Sequence, residues 1–549
     1  MPTTVADVLV EELKVRGVSF VAVLNGHGLD PFLLACQKAA LRVIDVRNEQ
    51  AAGYMAEVTG RLTGTVGVCA VSGGVAHVNA MTGVLDAALD GAPMLLITGI
   101  TAQTELDWGN FQDFNPVPLA APICKYARIV DVPHRVAQIT HEAFVAATSG
   151  RPGPVHLALP MDTAATPVNS QDLLVSKTRT GQVQPSGSGD TPNIEYAARL
   201  LAAAKQPVLI AGSGARYANA GPAAADLASQ LKMPLVVPIW DRGCIEKPCE
   251  EFMGVIGAAS GGPRILADAD LLILAGAEFD YRVGQTCAPA IRDDAKVIRI
   301  HTDPTRLRQG LEADLSIQGS PKSVLQQLRT ACANHASDRT DEWLTEVRRR
   351  RNDFQQGCLQ RATTLPEGIN GLDVVKEVTQ IVHTEGVLLV DGGNIGQWFH
   401  QLLSNQYPSR WVTCGASGVV GWGLPGAVAA RAIHPDGPVV LLSGDGSFTF
   451  TVGELECAAR QGLPFVAVVA DDEQWGISVT GHIAQFGKPL FSELGPTRFD
   501  LVAQGFGCDG VQIADKEELG PALRAALTAD RPTVLHVPIV PSSPADNSI

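Results

Sequence analysis

Positive charge is scarce in this chain: 42 lysines and arginines stand against 57 aspartates and glutamates, a formal net charge of −15 over 549 residues. Nucleic acids and anionic membrane surfaces reward basic patches, so neither is expected as a partner. The one dense basic run, Arg348-Arg349-Arg350-Arg351, lies in a mixed-charge helical stretch and reads as a solvated face. No apolar run reaches the ~20 residues of a membrane-spanning helix. The amino terminus, an amphipathic pattern carrying Asp7, Glu11 and Glu12, does not read as a signal peptide. The 11 cysteines are scattered singly, and the nearest pair, Cys244 and Cys249, matches neither zinc nor dithiol spacing. Reduced thiols in a cytoplasmic protein are therefore expected. A G-x-G-x-x-G turn between strand and helix is missing too, which removes the main support for a nicotinamide dehydrogenase.

What is present, 46% hydrophobic and 18% charged residues, suits a globular enzyme with well-buried sheets. A chain this long divides into several domains, and three are expected. Residues 1–165 alternate helix and strand. The strand from Phe20 to Leu24 ends in Asn25-Gly26-His27-Gly28, and the strand from Arg42 to Asp45 ends in Arg47-Asn48-Glu49-Gln50, where a helix from Ala51 to Arg61 begins. The strand from Thr65 to Val71 runs into a Gly73-Gly74 turn and a helix from Val78 to Ala88, and Met94 to Thr98 is a further strand. Residues 166–191 are polar and read as a linker. Residues 192–340 form a second α/β block, 341–367 a charged helical connection, 368–540 a third block, and 541–549 a tail expected to be disordered. The fold class that follows is α/β, three doubly wound parallel-sheet domains.

The third block holds the most telling stretch. Leu442-Ser443-Gly444-Asp445-Gly446-Ser447-Phe448 follows an apolar run, and so does Asp471-Asp472-Glu473-Gln474-Trp475-Gly476. Between them Leu455, Ala458 and Ala459 recur at helical spacing, giving a strand-helix-strand unit whose two acidic turns share one sheet edge. Open α/β sheets bind ligands at that edge. Glycines on both sides of Asp445 allow close backbone approach and N–H groups aimed at an anion. Carboxylates of Asp445 and Asp472 with the Gln474 carbonyl make an oxygen set for a hard cation such as Mg²⁺, which phosphate oxygens would complete.

These motifs, with Glu454-Leu455 and Gly462-Leu463-Pro464 between them, resemble the signature of thiamine-diphosphate enzymes, in the group that includes acetolactate synthases and benzaldehyde lyase. The resemblance covers nearly the whole chain and implies pyrimidine-binding, middle and diphosphate-binding domains in that order. It implies Asp445, Asp472 and Gln474 as metal ligands, with Gly446, Trp475 and Gly476 beside the cofactor. Asp471-Asp472 stands where Asn-Asn is usual, placing extra negative charge near a diphosphate.

Further assignments rest on the same resemblance. Glu49 would hydrogen-bond the aminopyrimidine ring and favour the tautomer that takes the proton from the thiazolium carbon, a task suited to a buried carboxyl group. Gly418 and Val420 would hold the pyrimidine, with Val420 as the wedge under the bent cofactor, where a larger side chain is commoner. N–H groups of Gly393 and Asn394 and the Ser447 hydroxyl would meet the diphosphate. On the substrate side, His27 is an acid–base candidate, Gln112 beside Phe111 a hydrogen-bond donor, and Asn25, Gly28, His77 and Ser478 weaker pocket candidates; Thr480 and His482 share the covering segment. Phe279-Asp280-Tyr281-Arg282 and His301-Thr302-Asp303-Pro304 resemble segments that touch FAD or ADP in relatives, although an unoccupied middle domain is preferred.

The expected function is a thiamine-diphosphate- and Mg²⁺-dependent carbon–carbon lyase or carboligase acting on a 2-oxo acid or 2-hydroxy ketone. A 2-hydroxyacyl-CoA lyase, a 2-oxo acid decarboxylase and a non-catalytic binding relative stay open. The tail lacks Lys and Arg, which weighs against a CoA substrate. The family pattern implies a homodimer or homotetramer, with Glu49 of one subunit facing Asp445 of another.

Overall fold

A computed structural model of the chain describes residues 3–169, 171, 173, 187–241, 244–245, 249–256, 264–286, 290–310, 312–334, 338–382, 386–402 and 410–542. Residues 174–186 of the polar stretch and 543–549 of the tail lie outside the described residues.

Among the described residues eighteen strands form three six-stranded sheets, parallel throughout. The first contains β1 (Phe20–Val23), β2 (Arg42–Asp45), β3 (Gly67–Ser72), β4 (Met94–Ile100), β5 (Ala127–Ile129) and β6 (Pro154–Pro160), in the order β2-β1-β3-β4-β6-β5. The second contains β7 (Pro207–Ala211), β8 (Leu235–Pro238), β9 (Phe252–Ile256), β10 (Leu271–Ala275), β11 (Lys296–His301) and β12 (Leu315–Gln318), ordered β12-β11-β10-β7-β8-β9. The third contains β13 (Val387–Asp391), β14 (Arg410–Thr413), β15 (Val439–Gly444), β16 (Val466–Asp471), β17 (Asp509–Gln512) and β18 (Thr533–Pro538), ordered β14-β13-β15-β16-β18-β17. Central strands such as β3, β4 and β16 are buried along their whole length, as expected where helices cover both faces of a parallel sheet. Helix Asp338–Thr363 joins the second sheet to the third, beginning before the expected 341–367 connection and ending short of its end.

Counted from its own first strand, the third sheet repeats the order of the first. In both, the chain reverses direction across the sheet between the first and third strands, so each has its ligand-binding crevice there. In the first sheet that point lies between the ends of β1 and β3, at residues 24–28 and 72–74. In the third it lies between the ends of β13 and β15, at residues 391–394 and 444–447.

Helix Glu49–Thr63 starts two residues earlier than its apolar spacing suggested, because the Asn48 side chain accepts the Gln50 N–H and caps it. This helix packs on helix Gly423–Ile433 of the third sheet, where Gly426 lets Val58 approach: a Cβ there would lie 3.0 Å from Val58 Cγ2. One continuous apolar core therefore spans all three sheets. Among the described residues no helix is long and apolar enough to cross a membrane.

Candidate active site

At the third sheet's crevice two turns abut. Gly392 has φ +111°, and a Cβ there would lie 2.8 Å from the Gly444 nitrogen and 3.0 Å from Ser447 Oγ. Only glycine fits this backbone against its neighbour. Asp445 opens the short helix Asp445–Thr449, and β16 delivers Asp471 and Asp472 beside it; all three are buried. Burial pushes the Asp445 carboxyl up to about 8, helped by the negative charges of Asp472 and Asp471 and opposed by the Gly446 N–H. Burial also raises Asp472, against the Asn394 amide. Among the described residues neither carboxylate has a lysine or arginine partner. A pair of buried, uncompensated carboxylates calls for a cation, and hard oxygen donors suit Mg²⁺.

Asp471 has further partners besides Asp445. Its Oδ2 lies 2.8 Å from His536 Nε2, and its Oδ1 accepts the Glu473 N–H. His536 Nδ1 faces Asp500 at 3.4 Å, and Arg498 pairs with Asp500 at 2.6 Å. The additional carboxylate at position 471 thus has a local imidazole partner.

Asn394 does more than offer its backbone. Its Nδ2 donates to Asp472 Oδ2 at 2.9 Å and to the Ser542 carbonyl at 2.7 Å. Gly476 is packed between these groups, a Cβ there lying 2.7 Å from Asn394 Nδ2 and 2.9 Å from Asp472 Oδ2. Gly393 abuts Ile477. The Trp475 ring covers Gly446 and meets Phe450 edge-on at 6.1 Å. Gln474 forms a bridge with Glu493, and Glu473 between the ligand candidates takes φ +56°. Ser478 lies exposed on helix Gly476–Phe486; in the same segment Thr480 Oγ1 donates to the Gly476 carbonyl and His482 Nδ1 accepts the Leu490 N–H.

The glycine loop after β14 is held by Asp391, which accepts N–H bonds from Gly421 at 3.0 Å and Gly423 at 2.8 Å. Burial pushes Asp391 up to about 7 despite those donors. Gly418 is exposed at φ +65° with open space around it, and Val420 is half-buried.

The first sheet's crevice gathers the substrate-side candidates. Gly28, at φ +85°, lies so near Gly99 that a Cβ would be 2.7 Å from its carbonyl carbon. Asn25 is exposed, while the His27 ring meets Phe111 edge-on at 5.6 Å. Gln112, at φ +56°, packs on Gly74 (a Cβ there would be 3.4 Å from Gln112 Cβ), and its buried Oε1 has no partner among the described residues. Strained non-glycine backbone of this kind gathers at functional sites. His77 is fully buried, with Nδ1 2.9 Å from Thr98 Oγ1, which also meets His156 Nε2 at 2.9 Å. Burial lowers His77 to about 4, so it is neutral near pH 7.

Glu49 is the first residue of its helix, and its Oε2 accepts from Asn79 Nδ2 at 3.0 Å. The sequence called for a buried carboxyl; within a single chain it is half-buried. Its turn is docked on the third sheet's helix Glu454–Arg460: Glu454 Oε1 accepts the Arg47 N–H at 2.9 Å, and Arg47 pairs with Glu456 at 3.1 Å. Burial pushes Glu454 up to about 7.

Sequence reading missed several polar groups here. Asn79, Asp86 and Asp90 lie on helix Val75–Asp90, and Asp86 and Asp90 are buried with Glu57 around the Arg61 guanidinium. Arg61 lies 3.3 Å from Glu57 and 3.5 Å from Asp90, donates to the Thr413 carbonyl at 2.7 Å and stacks over Trp422 at 5.8 Å. Charged residues among Ala80, Val84 and Ala87 on the apolar face were the available signal.

In the middle sheet the two segments resembling nucleotide contacts are engaged internally. Arg282 pairs with Asp280 at 2.7 Å and Asp241 at 3.7 Å, and Asp241 also accepts the Ser213 N–H. His301 Nδ1 accepts the Asp303 N–H, and Glu278 pairs with Arg151 of the first sheet's domain at 2.5 Å.

Three family descriptions match the chain: "Thiamine pyrophosphate enzyme, N-terminal TPP binding domain" over residues 3–119, the "central domain" over 194–328, and the "C-terminal TPP binding domain" over 391–537. The acetolactate synthase isozyme 2 large subunit of Escherichia coli (strain K12) is 29% identical, over 97% of this chain and 95% of that protein. A probable acetolactate synthase large subunit of Methanococcus aeolicus is 26% identical, over 98% and 92%. The 2-hydroxyacyl-CoA lyase 2 of Danio rerio is 27% identical, over 92% and 86%.

Proposed function

The chain belongs to the thiamine pyrophosphate enzyme family, and from that premise we propose that it is a Mg²⁺-dependent carboligase or lyase of the acetolactate synthase-like kind. Its substrate is a 2-oxo acid or 2-hydroxy ketone, and the bond made or broken lies next to the carbonyl. The observation that carries this reading is the buried Asp445 and Asp472 pair, without a basic partner among the described residues and set beside the Gly392–Asn394 turn.

In this reading Asp445, Asp472 and the Gln474 carbonyl hold Mg²⁺, while N–H groups of Gly393 and Asn394 with the Ser447 hydroxyl take the diphosphate. When bound, thiamine diphosphate supplies a nucleophilic carbon and an electron sink. Backbone groups of Gly418 and Val420 orient the pyrimidine, and Glu49 exchanges a proton at its ring nitrogen. Gln112 donates to the substrate's carbonyl oxygen, and His27 moves a proton on the substrate side. The middle domain carries no FAD or ADP.

Two features support a homodimer or homotetramer with sites shared between subunits. Glu49 is only half-buried in one chain. Beside it, helix Val75–Asp90 exposes an apolar stripe: Val75 is 72% exposed, and Val78, Leu85 and Leu89 continue it. A stripe of that size calls for a protein partner. The charge and thiol pattern support a cytoplasmic enzyme. A second reading, a 2-hydroxyacyl-CoA lyase, is favoured by the Danio rerio relative alone.

Titration of the apo-protein with thiamine diphosphate and Mg²⁺ tests the cofactor assignment, and the absence of saturable binding at millimolar cofactor would refute it. Product analysis separates the reactions: CO₂ release from pyruvate, aldehyde release from benzoin without CO₂, or thioester turnover with a 2-hydroxyacyl-CoA.

A further inference from the structure

Helix Val75–Asp90 touches both elements that the proposed function assigns to the pyrimidine. Near its start, Asn79 donates to Glu49. Two turns further on, Asp86 Oδ1 accepts the Ser417 hydroxyl at 2.5 Å, and Asp90 Oδ1 accepts the Ala416 N–H at 2.8 Å. Ser417 Oγ in turn accepts the Val419 N–H at 3.1 Å, so one hydroxyl links Asp86 to the backbone running from Gly418 to Val420. Gly415 takes φ +73° directly against Asp90, where a Cβ would overlap the carboxylate. The chain has been kept free of side chain at the point where it meets the helix.

We propose that Asp86 is a positioning residue for the cofactor cradle: through Ser417 it sets the course of the Gly418–Val420 backbone, while Asn79 on the same helix sets Glu49. This rests on the thiamine-diphosphate reading above. Gly418 has nothing within 4 Å of where a Cβ would be, so packing does not order the chain at Gly418 itself, although the next residue, Val419, packs against the core. A hydrogen bond at its root must then offset the entropy of holding it in one conformation. Burial, with Glu57 and Asp90 adjoining, raises Asp86 well above the usual carboxylate range. Its Oδ1 is the hydrogen-bond acceptor toward Ser417, a role an amide oxygen can also fill.

The test uses the full-length protein and variants Ser417→Ala, Asp86→Asn, Asp86→Leu and Asn79→Ala. Cofactor affinity is read by tryptophan fluorescence titration with thiamine diphosphate at saturating Mg²⁺, alongside kcat and the unfolding midpoint without cofactor. Ser417→Ala and Asp86→Leu should raise the cofactor Kd about tenfold, the loss of roughly one hydrogen bond, and Ser417→Ala should do so at an unchanged midpoint. Asp86→Asn should stay within about threefold of wild type, and Asn79→Ala should lower kcat with Kd unmoved. The proposal is overturned if Ser417→Ala binds like wild type, if Asp86→Asn is as weak as Asp86→Leu, or if Asn79→Ala changes neither quantity. Should Asp86→Leu fail to fold, Ser417→Ala decides alone. Failure of wild type to bind would instead sink the parent reading.

Discussion

The first and third sheets are built to one strand order, yet their crevices hold opposite chemistry. The third carries Asp445 and Asp472, carboxylates without basic partners among the described residues, beside close-packed glycine turns. The first carries a half-exposed Glu49, an imidazole edge-on to Phe111 and an amide, Gln112, on strained backbone. One topology supplies both crevices; the residues at the strand ends differ, and in the proposed reading one would grip a metal diphosphate while the other would handle protons and a carbonyl. The middle sheet reverses the order about β7 and β10, and its segments are tied up in internal ion pairs such as Arg282 with Asp280. Fold alone therefore does not set function.

The sharpest way to break the comparison is to disable each crevice in a different subunit. Glu49→Gln and Asp445→Asn homodimers should each be inactive. Mixed and re-equilibrated, they should recover about a quarter of wild-type activity, since half the dimers are mixed and each holds one intact shared site. No recovery would mean that both crevices serve one site within a chain.

A smaller effect tests whether the two crevices are built alike. Gly28→Ala and Gly392→Ala each force a side chain onto positive φ against neighbouring backbone, so each should cost about 1–3 kcal/mol in chemical denaturation. A marked inequality would show that only one turn is held under that constraint.

The smallest expected effect concerns Asp391. Its folded pKa, about 7, lies above its ordinary value of 3.8, so between these pH values the native state holds a proton that the unfolded state has released. Stability conferred by this group is thus present at low pH and falls as pH rises through that window. Asp391→Asn should flatten that fall in denaturation curves compared between pH 4 and pH 7.

Much of this was legible in the chain itself. Central strands such as Met94–Ile100 and Val466–Asp471 announce themselves as continuous apolar runs, and the acidic turns after them locate the third crevice. Most strands that escaped notice are short edge strands, such as Leu315–Gln318, where every second residue faces solvent, and Asp509–Gln512, where none is buried and apolar patterning fades. The exception, Thr533–Pro538, is central but interrupted by His536, whose role is to meet Asp471. Pairings across long separations, such as Asp86 with Ser417 and Arg61 with Thr413, leave no periodic trace, because they exist only once helix 49–63 has docked on the third sheet. Glu49 was read as buried because its chemistry calls for it; a single chain leaves it half open.

Calorimetric titration of Glu49→Gln and Asp445→Asn with thiamine diphosphate and Mg²⁺, paired with turnover of each, addresses the division of labour most directly. The expected result is that Asp445→Asn loses saturable binding, while Glu49→Gln binds within a few-fold of wild type but loses about 10²–10⁴ in kcat. Unimpaired binding by Asp445→Asn, or undiminished turnover by Glu49→Gln, would contradict it.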